Sequence, residues 1–207
     1  MAAPSQINVR NLKGNWIMDK NLSDDTDPVL KLQGVGWLVR KGIGMSTVNM
    51  EFIQSTEVDP ETSKPFIQLI ANQTAVGGSN VGTSETRIMD WMEREHSDFI
   101  FGDVTIRCRF VNGVRDSEGN IRPDIALETP GPNGEYLKEM VYAPGEDEDD
   151  DLSGLFIQDY IVKKTGSVAE QVWGFENICG QRCLTRRVLA SKGSSYKMAR
   201  VVYKFIP

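Results

Sequence analysis

The chain has 207 residues, of which 40% are hydrophobic and 25% are charged, the composition of an ordinary globular protein. This composition excludes a disordered chain, a collagen-like repeat and a small disulfide-stapled fold. The net charge of −6 argues against general affinity for nucleic acid or anionic lipid surfaces. No apolar run approaches the roughly 18 residues of a membrane-spanning helix, so we expect no stable membrane insertion.

Two features bear on the cellular compartment. Residues 1–10 have no apolar core of the length that a secretory signal needs. Three cysteines, Cys108, Cys179 and Cys183, are an odd number and too few for a disulfide framework. Both features predict a cytoplasmic protein.

Alternation of apolar and polar residues dominates the chain, and helical periodicity is nearly absent. Val48, Met50 and Phe52, for example, share one face, and the residues between them are polar, which is the pattern of a strand with one buried side. Turn residues separate ten segments of this kind, and we expect one domain over residues 1–207. The predicted strands cover residues 13–20, 46–56, 66–75, 85–94, 98–111, 135–143, 154–163, 168–176, 181–190 and 196–206.

The first two strands are joined by a predicted helix-turn-helix at about residues 28–43. Asp27 precedes Pro28, which is suited to the first helical position, and Gly34 and Gly36 separate two short apolar turns. The segment therefore predicts a small helical lid, which either plugs one end of the fold or gates a portal.

Two segments interrupt the strand pattern. Residues 112–134 are rich in glycine, proline and asparagine and predict a long irregular loop. Residues 144–153 include six consecutive carboxylates, and their spacing does not fit a calcium loop. We expect this acidic loop to stay solvated.

Short turns between regularly spaced strands are typical of an antiparallel meander, and closure into a barrel removes its exposed edges. Ten strands enclose an interior wide enough for a cavity. The fold class predicted here is all-β.

Two motifs resemble a known family. Gly14-Asn15-Trp16 resembles the Gly-x-Trp motif of lipocalins and their intracellular relatives. Residues 34–41, Gly-Val-Gly-Trp-Leu-Val-Arg-Lys, resemble the second lid helix of cytosolic fatty-acid-binding proteins. The resemblance implies a ten-stranded antiparallel up-and-down β-barrel of the calycin (lipocalin-like) type that holds one hydrophobic or amphipathic molecule. We expect Trp16 to pack at the closed end and to stabilise the barrel without a ligand role.

The family binds a ligand carboxylate with an Arg-x-Tyr pair on the last strand, whereas this chain has Arg200 and Tyr203, three positions apart. Such residues lie on opposite faces of a strand, so only one of them points inward unless a bulge intervenes. Arg200 would offer a ligand two hydrogen bonds and Tyr203 a hydroxyl. The family's further arginine has no clear counterpart, and Arg186 or Arg187 could replace it.

Aromatic residues complete the candidate ligand-binding set. Trp91 and Trp173 lie on predicted strands, where tryptophan belongs to a core more often than to a ligand platform. Tyr160 lies on the seventh predicted strand, and Trp37 begins the second lid helix. The set is therefore Arg200, Tyr203, Arg186, Trp91, Trp173, Tyr160 and Trp37.

Other polar residues carry weaker expectations. Arg107 and Arg109 share a strand face that we expect to point outward. Asp90 and Asp159 would be general bases if buried, but an outward position is the simpler expectation. His96, the only histidine, falls in a predicted hairpin turn, where it would be solvated.

Several chemistries have no support in the sequence. One histidine without a Gly-x-Ser-x-Gly elbow gives no hydrolase triad. The spacing of Cys179 and Cys183 does not predict a zinc site, and Gly34-Val35-Gly36 lacks the third glycine of a dinucleotide fingerprint. We therefore predict no metal and no cofactor.

The sequence thus predicts intracellular binding of a hydrophobic or amphipathic small molecule inside a β-barrel. The alternative is a cofactor-independent cyclase or isomerase, of the pericyclase type, that uses the same pocket to hold a flexible substrate folded. A third possibility is an interaction protein whose acidic loop engages a basic partner. The oligomeric state and the identity of the ligand are not encoded in any motif.

Overall fold

The computed structural model describes residues 1–77, 81–129, 131–145 and 151–207. Most of these residues lie in strands. The strands are β1 (Gly14–Met18), β2 (Thr47–Val58), β3 (Pro65–Val76), β4 (Val81–Ile88), β5 (Arg94–Asp98), β6 (Gly102–Val111), β7 (Gly113–Arg115), β8 (Ile121–Pro123), β9 (Phe156–Lys163), β10 (Val168–Ile178), β11 (Gln181–Lys192) and β12 (Ser195–Ile206).

Ten of the strands form one antiparallel sheet in the order β4-β3-β2-β1-β12-β11-β10-β9-β6-β5. The sheet curls into a nearly closed barrel with β4 and β5 as its free edges. Just beyond β4, the backbone N–H of Trp91 donates to the Cys108 carbonyl of β6 at 2.8 Å, and this bond narrows the gap between the two edges of the sheet. The predicted ten-stranded antiparallel barrel is confirmed.

The membership of the sheet differs from the prediction at two places. The segment predicted as a strand over residues 135–143 instead begins with helix α3 (Glu135–Lys138). Its four-residue stretch has one buried apolar residue, Leu137, and a short alternation of this kind does not separate helix from strand. The sheet strand that the sequence did not predict is β5. Its sequence, Arg-Glu-His-Ser-Asp, is polar throughout and so gives no hydrophobic alternation.

The predicted helical lid is present as α1 (Asp27–Leu32) and α2 (Trp37–Met45). Pro28 occupies the first turn of α1, as its fixed φ favours. Val29 packs against Val188 and Ala199 of the barrel. Lys163 of β9 donates from Nζ to the Gln33 carbonyl at 3.1 Å, so the lid is attached to two sides of the barrel mouth.

Residues 112–145 are not a plain irregular loop. The described part contains the hairpin β7-β8, a 3₁₀ turn at Pro132–Gly134 and helix α3. Together they form a layer, here called the outer layer, that covers the outside of the barrel. Leu137 and Met140 are fully buried there, and the Ala143 N–H donates to the Phe175 carbonyl of β10 at 2.7 Å.

Gly174 of β10 makes this contact possible. A Cβ at this position would lie 2.7 Å from Met140 Sδ and 2.8 Å from Phe156 Cδ1. Only a glycine leaves room for the outer layer to lie against the strand.

Five of the six consecutive acidic residues, 146–150, lie outside the described residues. The sixth, Asp151, forms an ion pair with Arg10, with 3.5 Å between Arg10 Nη2 and Asp151 Oδ2, and both side chains are nearly half exposed. The solvated acidic loop therefore stays a prediction.

Trp16 is fully buried in the apolar core, as predicted. Its ring packs against Phe205 at 5.2 Å and against Phe175 at 6.0 Å between centroids. No helix among the residues described has the length and apolar character required to cross a membrane.

Candidate ligand-binding cavity

The barrel contains a cavity that is open to solvent at its mouth, and the space between its lining atoms, open solvent included, is about 1140 Å³. It lies beneath the lid helices and between the inner faces of the strands. Most of its surface is apolar, which suits the body of a hydrophobic molecule. The apolar lining residues are Met18, Val29, Leu30, Ile43, Val48, Met50, Ala71, Ile100, Phe101, Val104, Ile106, Ile161, Val188, Ala199 and Val201.

A second group of lining residues is polar or charged: Thr26, Gln33, Gln73, Thr83, Glu85, Arg87, His96, Asp98, Gln171, Arg186 and Tyr203. Several of them surround Trp173. We use the name polar cluster for the residues around Trp173, with Trp173 at the centre: Glu85, Arg87, Asp159, Gln171, Arg186 and Tyr203.

Arg87 and Asp159 are the buried ion pair of the polar cluster. Arg87 Nε donates to Asp159 Oδ2 at 3.1 Å, and the two side chains are 4% and 0% exposed. Arg87 Nη2 also donates to Glu85 at 2.9 Å, and Trp173 Nε1 donates to the same Asp159 oxygen at 2.7 Å. These bonds give a buried carboxylate and a buried guanidinium the partners that they require.

Electrostatics keep Arg87 ionised. Burial disfavours the charge on Arg87, but the carboxylates of Glu85 and Asp159 outweigh it and raise the pKa of Arg87. Cys108 lies opposite Asp159 on β6. Burial and the neighbouring Asp159 carboxylate raise the pKa of the Cys108 thiol, so this cysteine remains neutral.

Arg186 lies on the other side of the cluster, on β11. Its guanidinium is 4.7 Å from the centroid of the Trp173 ring and 5.8 Å from that of Tyr203. The Trp173 and Tyr203 rings stack at 5.9 Å and 17°. Burial raises the pKa of Tyr203, and the two guanidinium groups of Arg186 and Arg87 only partly oppose this shift, so the hydroxyl is neutral and can donate.

Five atoms of the polar cluster are buried without a hydrogen-bond partner among the described residues. Three are acceptors, Glu85 Oε1, Asp159 Oδ1 and Gln171 Oε1, and two are donors, Arg87 Nη1 and Arg186 Nε. Buried polar atoms without partners are costly, so a ligand or water that reaches the cluster gains hydrogen bonds of both kinds.

The structure places Arg186 and Tyr203 on the cavity, with Trp173 directly behind them. It does not bring Arg200 there. Arg200 pairs with Arg187 across β11 and β12, and both lie on the outer face. The backbone N–H of Arg200 donates to Asp24 Oδ2 at 2.7 Å. With no bulge in β12, the three-residue spacing leaves only Tyr203 inward.

Trp91, Tyr160 and Trp37 also lie away from the cavity. Trp91 follows the end of β4 with a φ of 63° and stacks outside the barrel on Arg109, at 4.2 Å, and on Arg107. Tyr160 packs on the other side of Arg107 at 4.8 Å. Trp37 is 64% exposed on α2. The outward position expected for the arginine pair of β6 is confirmed.

Sequence reasoning missed three groups of the cavity. Asp159 points inward. The sequence signal for this position was that Asp159 shares a strand face with Ile157 and Ile161. Arg87 lies on β4, which runs over residues 81–88 and not 85–94 as predicted. His96 lies on β5 and lines the cavity, in place of the predicted turn.

No family model matches the chain. Two curated proteins match over nearly their whole length. The probable pericyclase scpY of Mollisia scopiformis is 26% identical over 205 residues, which are 99% of this chain and 95% of that protein. The pericyclase pydY of Acremonium sp is 26% identical over 206 residues, 100% of this chain and 97% of that protein.

Solved structures show the same fold at low identity. The REP1-NXSQ fatty acid transporter has a TM-score of 0.50 and 12% identity, with 94% of this chain and 96% of that chain covered. A point mutant of the same transporter gives 0.50 and 11%, with 95% and 98% covered. The chain therefore shares the barrel fold of this transporter.

Proposed function

We propose that this protein is a pericyclase that binds a flexible, mostly apolar substrate in the barrel and promotes its ring closure without a cofactor. The observation that carries the proposal is the cavity inside the barrel, apolar over most of its surface and polar around Trp173. The end-to-end similarity to two pericyclases supports it. A fold shared with fatty acid transporters supports the binding of a hydrophobic molecule.

The apolar lining would act on substrate shape. An intramolecular ring closure requires two distant parts of a chain to meet, and an open chain in water rarely adopts that conformation. A cavity that buries the chain in a folded shape removes this entropic barrier in advance. The lid, whose Val29 and Leu30 line the cavity, would admit the substrate and then exclude water.

The polar cluster would act on substrate electronics. Arg87 is held in place by Asp159 and Glu85, so its free Nη1–H is a fixed donor. Arg186 and Tyr203 supply further donors. A donor fixed near a carbonyl that gains negative charge during ring closure stabilises the transition state more than the ground state.

The charges of the polar cluster indicate which polar group fits. The cations Arg87 and Arg186 are balanced by the anions Glu85 and Asp159, so a further ionised carboxylate would be uncompensated. Its unpartnered atoms include donors and acceptors alike. We therefore infer a neutral group that both accepts and donates, such as an amide or a hydroxy-carbonyl, in place of a fatty-acid carboxylate.

The second candidate function is a carrier for such a molecule, which the fold shared with fatty acid transporters favours. Native mass spectrometry of protein purified from its own source, followed by incubation with the released compound, separates the two functions. Conversion to a cyclic isomer supports the pericyclase, and recovery of the compound unchanged supports the carrier. Absence of any bound compound, together with exclusion of the neutral dye Nile red, would reject both.

A matched pair of variants tests the polar cluster. Arg186 stacks on Trp173 inside the barrel, and Arg109 stacks on Trp91 in a similar way outside it. Arg186→Gln should slow ring closure by about 100-fold, the usual cost of one transition-state donor. Arg109→Gln should leave the rate unchanged. Equal rates for both variants would remove Arg186 from the site.

The compartment and the domain organisation are also proposals. All three cysteines are free thiols in the structure, which agrees with a reducing cytoplasm. The outer layer contributes Leu137 and Met140 to the same apolar core as Trp16, which supports one folding unit over residues 1–207.

A further inference from the structure

We propose that His96 and Asp98 form a proton-transfer pair that enolises a carbonyl substrate inside the cavity. The proposal rests on the proposed binding function and adds a second activity to it. Enolisation would convert a ketone into an enol or dienol before ring closure. The class of reaction assigned here is therefore a tautomerisation that supplies the reactive double bond.

Both side chains lie on the inner face of β5. In the antiparallel register His96 is opposite Val104 and Asp98 is opposite Gly102. Val104, His96 and Asp98 all line the cavity. The side chains of His96 and Asp98 are 21% and 13% exposed, so they are largely shielded but remain open to a bound molecule.

Asp98 is held in a fixed orientation. Its Oδ1 accepts the backbone N–H groups of Ile100 and Phe101, both at 2.7 Å. Its other oxygen, Oδ2, lies 3.3 Å from His96 Nε2. A carboxylate anchored in this way orients the imidazole with a proton on Nε2, and Nδ1 then carries the lone pair.

His96 Nδ1 has no hydrogen-bond partner within the described part of the chain. A base oriented by a carboxylate, with its free nitrogen on a binding cavity, is the arrangement that general base catalysis requires. The other titratable side chains that line the cavity are Glu85 and Arg87 of β4, the strand at the other edge of the barrel gap, and Arg186 and Tyr203.

The step balances without an oxidant or reductant. His96 Nδ1 takes a proton from a carbon next to the carbonyl, and the electrons of that C–H bond form a carbon–carbon double bond. The carbonyl oxygen becomes an enolate oxygen, which a donor of the polar cluster stabilises. The imidazolium, paired with Asp98, then returns the proton to oxygen or to carbon.

Deuterium exchange tests the activity with a simple probe. The full chain is incubated in D₂O with 2-undecanone, whose apolar chain fits the cavity chemistry, and deuterium next to the carbonyl is measured by mass spectrometry. Displacement of Nile red measures binding of the ketone in the same samples. We expect exchange well above buffer for the wild-type protein and a loss of about 100-fold in His96→Ala.

Three further measurements separate a catalytic base from a structural residue. Added imidazole should restore exchange in His96→Ala, and His96→Gln should lose exchange while still binding the ketone. Asp98→Asn should lower the exchange rate about 10-fold without changing binding, since Asp98 acts through His96. Ser97→Ala, on the exposed face of the same strand, should exchange like the wild type.

The outcomes separate this proposal from the proposed function. A protein that binds 2-undecanone but exchanges no faster than buffer, or equally fast in His96→Ala, overturns the proton-transfer pair alone. A loss in Ser97→Ala equal to that in His96→Ala also overturns it. A protein that neither takes up Nile red nor exchanges the ketone overturns the pair and the binding function together.

Discussion

Truncation of Trp16 gives a quantitative test of the barrel core. Trp16 is fully buried and packs against two phenylalanine rings, so Trp16→Ala removes a large apolar surface and leaves a cavity that its neighbours only partly fill. Replacement of a buried tryptophan by alanine costs about 3–5 kcal/mol. For a chain of this size each kcal/mol lowers the melting temperature by about 2–4 °C, which predicts a fall of roughly 6–20 °C.

Urea unfolding, followed by circular dichroism, measures the free energy directly. Trp37→Ala is the matched control, because Trp37 is 64% exposed on the lid and the same truncation there should change stability by about 0.5 kcal/mol or less. A cost below about 1 kcal/mol for Trp16→Ala would contradict the placement of this residue in a packed core. Because Trp16 does not line the cavity, the variant at low temperature should still take up Nile red.

Three further predictions follow from other parts of the fold. Gly174→Ala should destabilise the protein by about 1–3 kcal/mol in urea unfolding, because the added methyl group collides with the outer layer. The Arg122 guanidinium lowers the pKa of Asp116 from its usual 3.8 to about 2. The stability from this pair is therefore present above about pH 4 and lost as the pH falls towards 2. The urea midpoint of Asp116→Asn should lack that part of the pH dependence. Iodoacetamide should label only the exposed Cys179 in the native state and all three cysteines in urea, as counted by mass spectrometry.

The parts of the fold that were predictable from sequence have strong local patterns. The lid was found because Pro28 and the glycines at 34 and 36 mark helix boundaries through backbone geometry. Nine of the ten sheet strands emerged from alternation, because one face of each is apolar. β5 was missed because its inward residues, His96 and Asp98, are polar like its outward ones, and alternation of two polar faces carries no hydrophobic signal.

The cavity was predictable as a space but not as a set of side chains. Tyr203 and Arg200 compete for one inward position, and only the register of β12 with β11 decides between them. Arg87 and Asp159 are 72 positions apart, and no local spacing shows that they meet. Asp159 could have been placed inward because it shares a strand face with Ile157, but an unpaired carboxylate in an apolar row is too costly to predict until its guanidinium partner is known.

The outer layer gives the barrel two halves with different mechanical properties. β9, β10 and β11 carry buried residues on both faces, whereas β4 and β5 are free edges with solvent on their outer side. A strand packed from both sides opens only when the whole domain unfolds, while an edge strand opens locally at much smaller cost. A molecule in the cavity therefore contacts rigid strands, β9 to β11, on one side and more flexible strands, β4 and β5, on the other. Amide hydrogens of β10 should exchange more slowly than those of β4 and β5 by orders of magnitude. Conformational adjustment to different molecules should be concentrated at β4 and β5.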